Sequence, residues 1–357
     1  MKTIRTVTGL DIGSSKICAA MAELDGDGLL HVLAVHSAPS NGIQKGHIIN
    51  LDDAVEAVST ALEGLKEKSG IRPEYIVADI SGQSLQGQSS QGMVNLSLRG
   101  REITQADIAR CIDAASTIKL PFHREIIYRE IQSFVIDEDV EVREPVGLFG
   151  SRLAASIYAI TANASHINNI QKAVNSAGYE LKECVFSGLA NAAILLEYDD
   201  KKKGVALIDI GASLTEVLIF IKGVLRSIEV LPFGGDDCRG PVAHDEGFLK
   251  VKTAVAKRIE SFRASGCLVE KAVLTGGFSF TDGVIENFES TAGLPVKIGT
   301  AKGIVGSLSS DEKIMATTCL GIARHVFNKL VVPSGPAKIG PISALSSKIS
   351  DFFTRYF

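Results

Sequence analysis

Two stretches of this chain follow one plan. Residues 6–23 (TVTGLDIGSSKICAAMAE) and 204–223 (GVALIDIGASLTEVLIFIKG) each run from an apolar strand through Asp-Ile-Gly and a short Ser-containing turn into a second apolar, β-rich strand. One Asp-Ile-Gly is common by chance. Two in the same strand-turn-strand setting, about half a chain apart, predict two related domains. The length of 357 residues agrees, at ~150 residues per domain.

Either turn alone reads equally well as a Gly-containing β-turn with a solvated Asp. As a pair they present what a nucleotide polyphosphate needs: glycines that let backbone approach, N–H groups and hydroxyls for phosphate oxygens, and a carboxylate for Mg²⁺. The candidates are Asp11, Gly13, Ser14, Ser15 and Lys16 in the first turn and Asp209, Gly211, Ser213 and Thr215 in the second. Asp11 and Asp209 are the expected Mg²⁺ residues. Facing one another, the turns would clamp phosphates and metal between domains. Thr275-Gly276-Gly277, after the apolar run 272–274, offers bare backbone on which a ribose or base could lie. Alone it is equally a structural turn. Hydrolysis in such a site would rest on positioning a water, and no catalytic residue is assigned.

Elsewhere the spacing predicts a helix over 51–68, with Leu51, Val55, Val58, Leu62 and Leu65 on one face, and a strand over 75–81. The texture changes between about 82 and 164, where a Gln/Ser/Gly-rich start precedes a helix near 104–118 and strands at 125–136 and 151–161. This is expected to be an inserted subdomain. Helices at 167–176 and 190–197 lead to the second Asp-Ile-Gly strand. After it come a hairpin partner at 224–231 and a helix over 251–262. The division is then 1–190 for the first domain, 191–330 for the second, a Pro/Gly-punctuated linker at 331–340, and a terminal helix at 341–357. That helix carries Ile342, Leu345, Ile349, Phe352, Phe353 and Tyr356 on one side. At ~1.5 Å per residue it spans roughly 24 Å, less than the ~30 Å hydrocarbon core, so it is expected to lie in a membrane surface. Docking on the protein's own body or in a partner's groove is the alternative.

Charge excludes one class of partner. The 37 Lys and Arg stand against 41 Asp and Glu, which gives no basic field for nucleic acid. The six cysteines are scattered, with no C-x-x-C pair, as reduced thiols are. The seven His residues read as surface or satisfied core residues. Asp11 interrupts the N-terminal stretch before any signal-peptide length of apolar residues, which points to a cytoplasmic protein.

In chain order, DIGSSK, LANAA, DIGASLTEV, VLTGGF and CLGIA resemble the actin-like ATPase superfamily of actin, sugar kinases and DnaK-type chaperones. More closely, VTGLDIGSSKICAAMAE, GHIINLDDAVEAV, EITQADIARCIDAAS, REIIYREIQSFVIDEDVEVREPVGLFGSRL, VLPFGGDD and the terminal helix resemble the FtsA family of bacterial cell-division proteins. The resemblance covers nearly the whole chain. It implies an α/β, actin-like two-domain fold, a duplicated ribonuclease-H-like sheet with helices, and an inserted α+β subdomain. It also implies ATP and Mg²⁺ in the cleft, self-association into filaments, and contacts with other divisome proteins. The FtsZ C-terminal tail would be held at the inner leaflet of the cytoplasmic membrane, at the division septum. Asp11, Gly13, Ser14 and Ser15 match the family's first phosphate motif. Asp209, Gly211, Ser213 and Thr215 match the second, with Ala212 and Leu214 where Gly and Thr are more frequent. Gly276 and Gly277 match the adenosine motif, and Asn191 falls in the first connecting helix. One departure matters: only residues 238–250 stand where the family usually has a small helical subdomain. That subdomain carries base, FtsZ-tail and filament contacts, so the expectation is weaker nucleotide binding or a moved partner surface, with slow or absent ATP hydrolysis. A pilus-assembly-type actin-like adaptor and a soluble small-molecule kinase are the alternatives. The first has no use for the tail, and the second lacks a convincing substrate-side Asp.

Overall fold

The computed structural model describes residues 6–330, apart from 239 and 243–244. Thr6–Ile12, Lys16–Leu24 and Leu30–Pro39 form an antiparallel meander. On its free side Thr6–Ile12 takes Ile76–Ile80 in parallel, and that strand takes Leu181–Phe186 in parallel. A second sheet repeats the plan. Val205–Ile210, Thr215–Ile221 and Val224–Leu231 are its meander, and Lys271–Thr275 and Val296–Ile298 its parallel additions. The expected duplication is therefore one of topology, two sheets built by the same sequence of pairings. Ile304–Val305 adds a short strand beside Leu30–Pro39.

The central strands are covered on both faces. Ile17, Cys18, Ala19, Ala20, Met21 and Ala22 are all fully buried, which is why their sequence is continuously apolar rather than alternating. Parallel pairing needs a crossover, and the helix Leu51–Ser69 supplies the first. Asn50 caps it by accepting from the Asp52 and Asp53 N–H groups, and Gly70 ends it in the left-handed conformation at φ 69°. Of the expected face, Val58, Leu62 and Leu65 are buried, joined by Ala54, Ala57 and Ala61. Leu51 and Val55 stay half-buried because the small alanines let the helix roll onto the sheet.

Two helices differ in extent from their sequence pattern. The connecting helix is Ser187–Leu195, shifted toward the N-terminus, and the expected 251–262 helix is Glu246–Ala264, capped by the Asp245 carboxylate on the Phe248 N–H at 2.7 Å. The helix Thr317–Leu330 packs by backbone contact. A Cβ on Gly9 would lie 2.1 Å from the Cys319 carbonyl oxygen, and one on Gly321 would lie 2.2 Å from that of Ala190. Cys319 Sγ also donates to the Cys18 carbonyl at 3.1 Å. All six cysteines are free thiols.

Residues 87–161 form a compact unit of their own. Its sheet runs in the order Val140–Val142, Arg124–Ile136, Arg152–Asn163 and Gln86–Asn95. The helix Gln105–Ser116 is fastened by a capping box between Thr104 and Asp107. Ile103, Ile108, Cys111, Phe134, Leu153 and Ile157 belong to its core. Gln86–Asn95 is polar and reads poorly as a strand, yet Gly92 lets the helix approach so closely that a Cβ there would lie 2.0 Å from the Ala115 nitrogen. No described helix is long and apolar enough to cross a membrane. Ile342, Leu345, Ile349, Phe352, Phe353 and Tyr356 lie outside the described residues, as does the linker before them.

Candidate functional site

Both Asp-Ile-Gly turns close in the same way. The Gly13 N–H donates to the Lys16 carbonyl at 3.1 Å, and the Gly211 N–H to the Leu214 carbonyl at 3.0 Å. Each bond folds the chain back from the first strand of its sheet into the second. The turns meet across a cavity of about 490 Å³ whose wall includes Asp11, Gly13, Ser14, Ser15 and Lys16 on one side and Asp209, Gly211 and Ser213 on the other. Gly276 and Gly277 line it as well. The two loops touch through the Ser213 and Ser14 hydroxyls.

Gly276 sits at φ 86°, and a Cβ there would come within 2.3 Å of Asp209 Oδ1 and 2.4 Å of the Ile210 carbonyl oxygen. Only glycine fits both the conformation and the space. Beside it Gly277 is exposed, and a Cβ there would meet nothing within 4 Å. Two candidates stand back from the cavity. Thr215 is fully buried, and its hydroxyl donates to the Phe233 carbonyl at 2.9 Å. Asn191 lies behind the second turn and donates from Nδ2 to Asp209 Oδ2 at 2.6 Å, orienting the carboxylate rather than facing a ligand.

Sequence reasoning missed two acidic residues. Asp79, near the end of Ile76–Ile80, and Glu216, second in Thr215–Ile221, line the same cavity and are each only 4% exposed. Asp79 Oδ1 accepts the Ile12 N–H at 2.7 Å. Glu216 Oε1 accepts from the Ser187 hydroxyl at 2.5 Å and from the Ser81 hydroxyl. The available signal was a lone carboxylate inside an otherwise apolar strand, once in IVADI and once in TEVLIF.

Burial is the first reason that the proton affinity of these groups is raised. Burial pushes Asp11 up to about 6 against the pull of Lys16. It takes Asp209 to about 7, with the Asp11 charge adding and Asn191 opposing. Burial, then the Asp209 charge, brings Glu216 to about 8, and burial with the Asp11 charge holds Asp79 well above the carboxylate range. Among the described residues that line it, acidic groups outnumber basic ones. Among the described residues no three acidic, His or Cys side chains converge closely enough to cage a metal. A Mg²⁺ ion held by Asp11 and Asp209 would fill the rest of its oxygen shell from phosphate and water, as this hard ion commonly does.

The short connection after Val224–Leu231 is pinned to the second turn. The Gly235 N–H donates to the Gly211 carbonyl at 2.9 Å and the Asp236 N–H to the Ala212 carbonyl at 2.7 Å. His166 is a satisfied core residue, with Nε2 at 2.8 Å from the Gly46 carbonyl and Nδ1 at 3.2 Å from the Ser84 hydroxyl.

Residues 82–161 match the model of the SHS2 domain inserted in FtsA. The cell division protein FtsA of Pseudomonas aeruginosa is 34% identical over 239 residues, covering 67% of this chain and 57% of that protein. FtsA of Borreliella burgdorferi is 32% identical over 228 residues, covering 64% of this chain and 55% of its own length. The chain therefore spans less than two thirds of these relatives. Among solved structures, one described as the PilM-PilN type IV pilus biogenesis complex aligns with a TM-score of 0.64 at 17% identity, covering 89% of this chain and 98% of that one. That likeness is one of fold, and the fold is actin-like.

Proposed function

We infer that this chain, a relative of the FtsA cell-division proteins with their SHS2 insert, is an ATP-binding, self-associating adaptor that tethers FtsZ to the cytoplasmic membrane. The observation that carries the nucleotide reading is the meeting of the two Asp-Ile-Gly turns at one cavity. Gly13, Ser14, Ser15 and Lys16 would take phosphate oxygens from one side, and Gly211 and Ser213 from the other. Asp11 and Asp209 would hold Mg²⁺, with Asn191 fixing the Asp209 carboxylate. Gly276 and Gly277 would receive the adenosine. The ion, when bound, supplies the positive charge that a polyphosphate among these carboxylates needs.

ATP is read as a structural ligand with slow or absent hydrolysis, because only residues 238–250 stand where the family usually has a small helical subdomain. The domain division stays as read from the sequence: 1–190 with its insert, 191–330 shortened, linker 331–340, and a membrane-targeting helix at 341–357. One short amphipathic helix binds weakly, and many on a filament bind through avidity. The location is then peripheral, on the cytoplasmic face at the septum, with other divisome proteins as further partners.

The test is liposome co-sedimentation of the purified chain with and without FtsZ and with and without Mg-ATP. FtsZ in the pellet only when this chain is present supports the adaptor. FtsZ left in solution while this chain pellets removes FtsZ as the partner.

A further inference from the structure

Half of the Glu216 carboxylate has no counterpart. Its Oε1 accepts both the Ser81 and the Ser187 hydroxyls, while Oε2 is buried without a hydrogen-bond partner. A buried carboxylate oxygen without a partner is costly unless a proton or a metal cation meets it. Asp79 lines the same cavity, and after burial and the Asp11 charge the Glu216 charge also raises its proton affinity. Asp79 and Ser81 are two residues apart on one extended segment, the strand period, and both line the cavity with Ser187 and Glu216. Two carboxylates and two hydroxyl oxygens thus border one wall, contributed by both duplicated sheets and the connecting helix.

Charge points the same way. Among the described residues the cavity lining carries Asp11, Asp79, Asp209, Glu216 and Asp236 against Lys16. A polyphosphate would add to the excess, and a single Mg²⁺ at Asp11 and Asp209 would not offset it. We propose that Asp79 and Glu216, with the Ser81 and Ser187 hydroxyl oxygens, form a second site for a hard divalent cation, separate from Asp11 and Asp209. Two carboxylates balance one divalent charge. Hydroxyl and water oxygens complete a shell suited to Mg²⁺ or Mn²⁺ rather than to a soft metal. The inference rests on the nucleotide reading only in giving Asp11 and Asp209 to the other ion.

The test uses the full chain without nucleotide and Mn²⁺ alone, with bound ion counted by electron paramagnetic resonance. Wild type should hold two ions per chain. Glu216→Gln keeps an oxygen for Ser81 and Ser187 but loses the charge, and Asp79→Asn does likewise at the other carboxylate. Each should hold one ion, and Asp209→Asn should lose the other. Ser81→Ala leaves both carboxylates in place and should weaken the second Mn²⁺ several-fold, which guards against a misfolded Glu216 variant. Unchanged stoichiometry in Glu216→Gln overturns the proposal, as it would if that carboxyl were simply held protonated. Two ions on a wild-type chain that shows no Mg-ATP binding in a separate isothermal titration would instead count against the nucleotide reading alone.

Discussion

Ser213 donates a hydrogen bond to Ser14 at 2.9 Å, joining the two duplicated turns across 199 positions of sequence. Three further hydrogen bonds cross the same cleft: Lys45 Nζ donates to the Pro232 carbonyl at 2.8 Å, and the Ser81 and Ser187 hydroxyls each donate to Glu216. The halves are fastened at the point where each would take a phosphate oxygen.

Removing one hydroxyl therefore tests the clamp. Ser213→Ala should lower Mg-ATP affinity about tenfold, the worth of one hydrogen bond to a charged oxygen. Asp209→Ala should abolish the Mg²⁺-dependent part. Isothermal titration reads both, and unchanged affinity in Asp209→Ala would show the assignment to be wrong.

Gly276 is held by sterics as well as by φ. Gly276→Ala forces a Cβ to within 2.3 Å of Asp209 Oδ1, so it should destabilise the fold by about 2–4 kcal/mol. Urea unfolding with nucleotide absent measures this. A loss below ~1 kcal/mol would mean the turn relaxes freely.

Asp107 anchors the insert. Its buried carboxylate takes a two-pronged pair from Arg101 at 2.7 and 2.6 Å, the Thr104 hydroxyl at 2.7 Å and the Thr104 N–H at 3.0 Å. Arg101 first, then Thr104 and Arg110, hold it far below the carboxylate range despite its burial. The group is charged in the fold at lower pH than in the unfolded chain. Its contribution is complete above its ordinary ~4 and is lost as pH falls toward the folded value. Asp107→Asn should cost about 3 kcal/mol in the 87–161 unit, read by hydrogen exchange of Gln105–Ser116.

His166 titrates in the opposite chemical sense with the same direction in pH. Burial, then the nearby His47, lowers it to about 4, so it stays neutral in the fold while the unfolded chain takes up a proton near 6.5. Stability from this group is complete above ~6.5 and declines, by on the order of 2–3 kcal/mol, as pH falls to about 4. An NMR ring titration with a midpoint above 6 would contradict it.

Phe352→Asp with Phe353→Asp should release the chain from liposomes, because each Phe surrenders up to ~1.5–3 kcal/mol of apolar burial. Undiminished pelleting would remove the membrane-targeting role from 341–357.

What the sequence disclosed follows from where its local signals are strong. Asp-Ile-Gly, with a turn that must be tight, announced both meanders, and the 224–231 strand is found where its apolar run lies. Asp79 and Glu216 stayed hidden because strands covered on both faces show no alternation, so one buried carboxylate has no pattern to break. Gln86–Asn95 was hidden for the converse reason: polar residues form a strand there because the neighbouring Arg152–Asn163 and a close helix make it pair. Leu30–Pro39 mixes half-buried and buried positions irregularly and carries no period to read.

Cys319 bonds to the Cys18 carbonyl across 301 positions, and Gly9 rests against the backbone of the same helix. At ~5–20 residues per second, a ribosome needs roughly 15–60 s to deliver that helix after the first strands have emerged. For that interval the nascent N-terminal sheet carries an uncovered apolar face. Synthesis of this chain thus contains a period of exposure in which a holdase, or a premature encounter with another nascent copy, competes with completion of the fold.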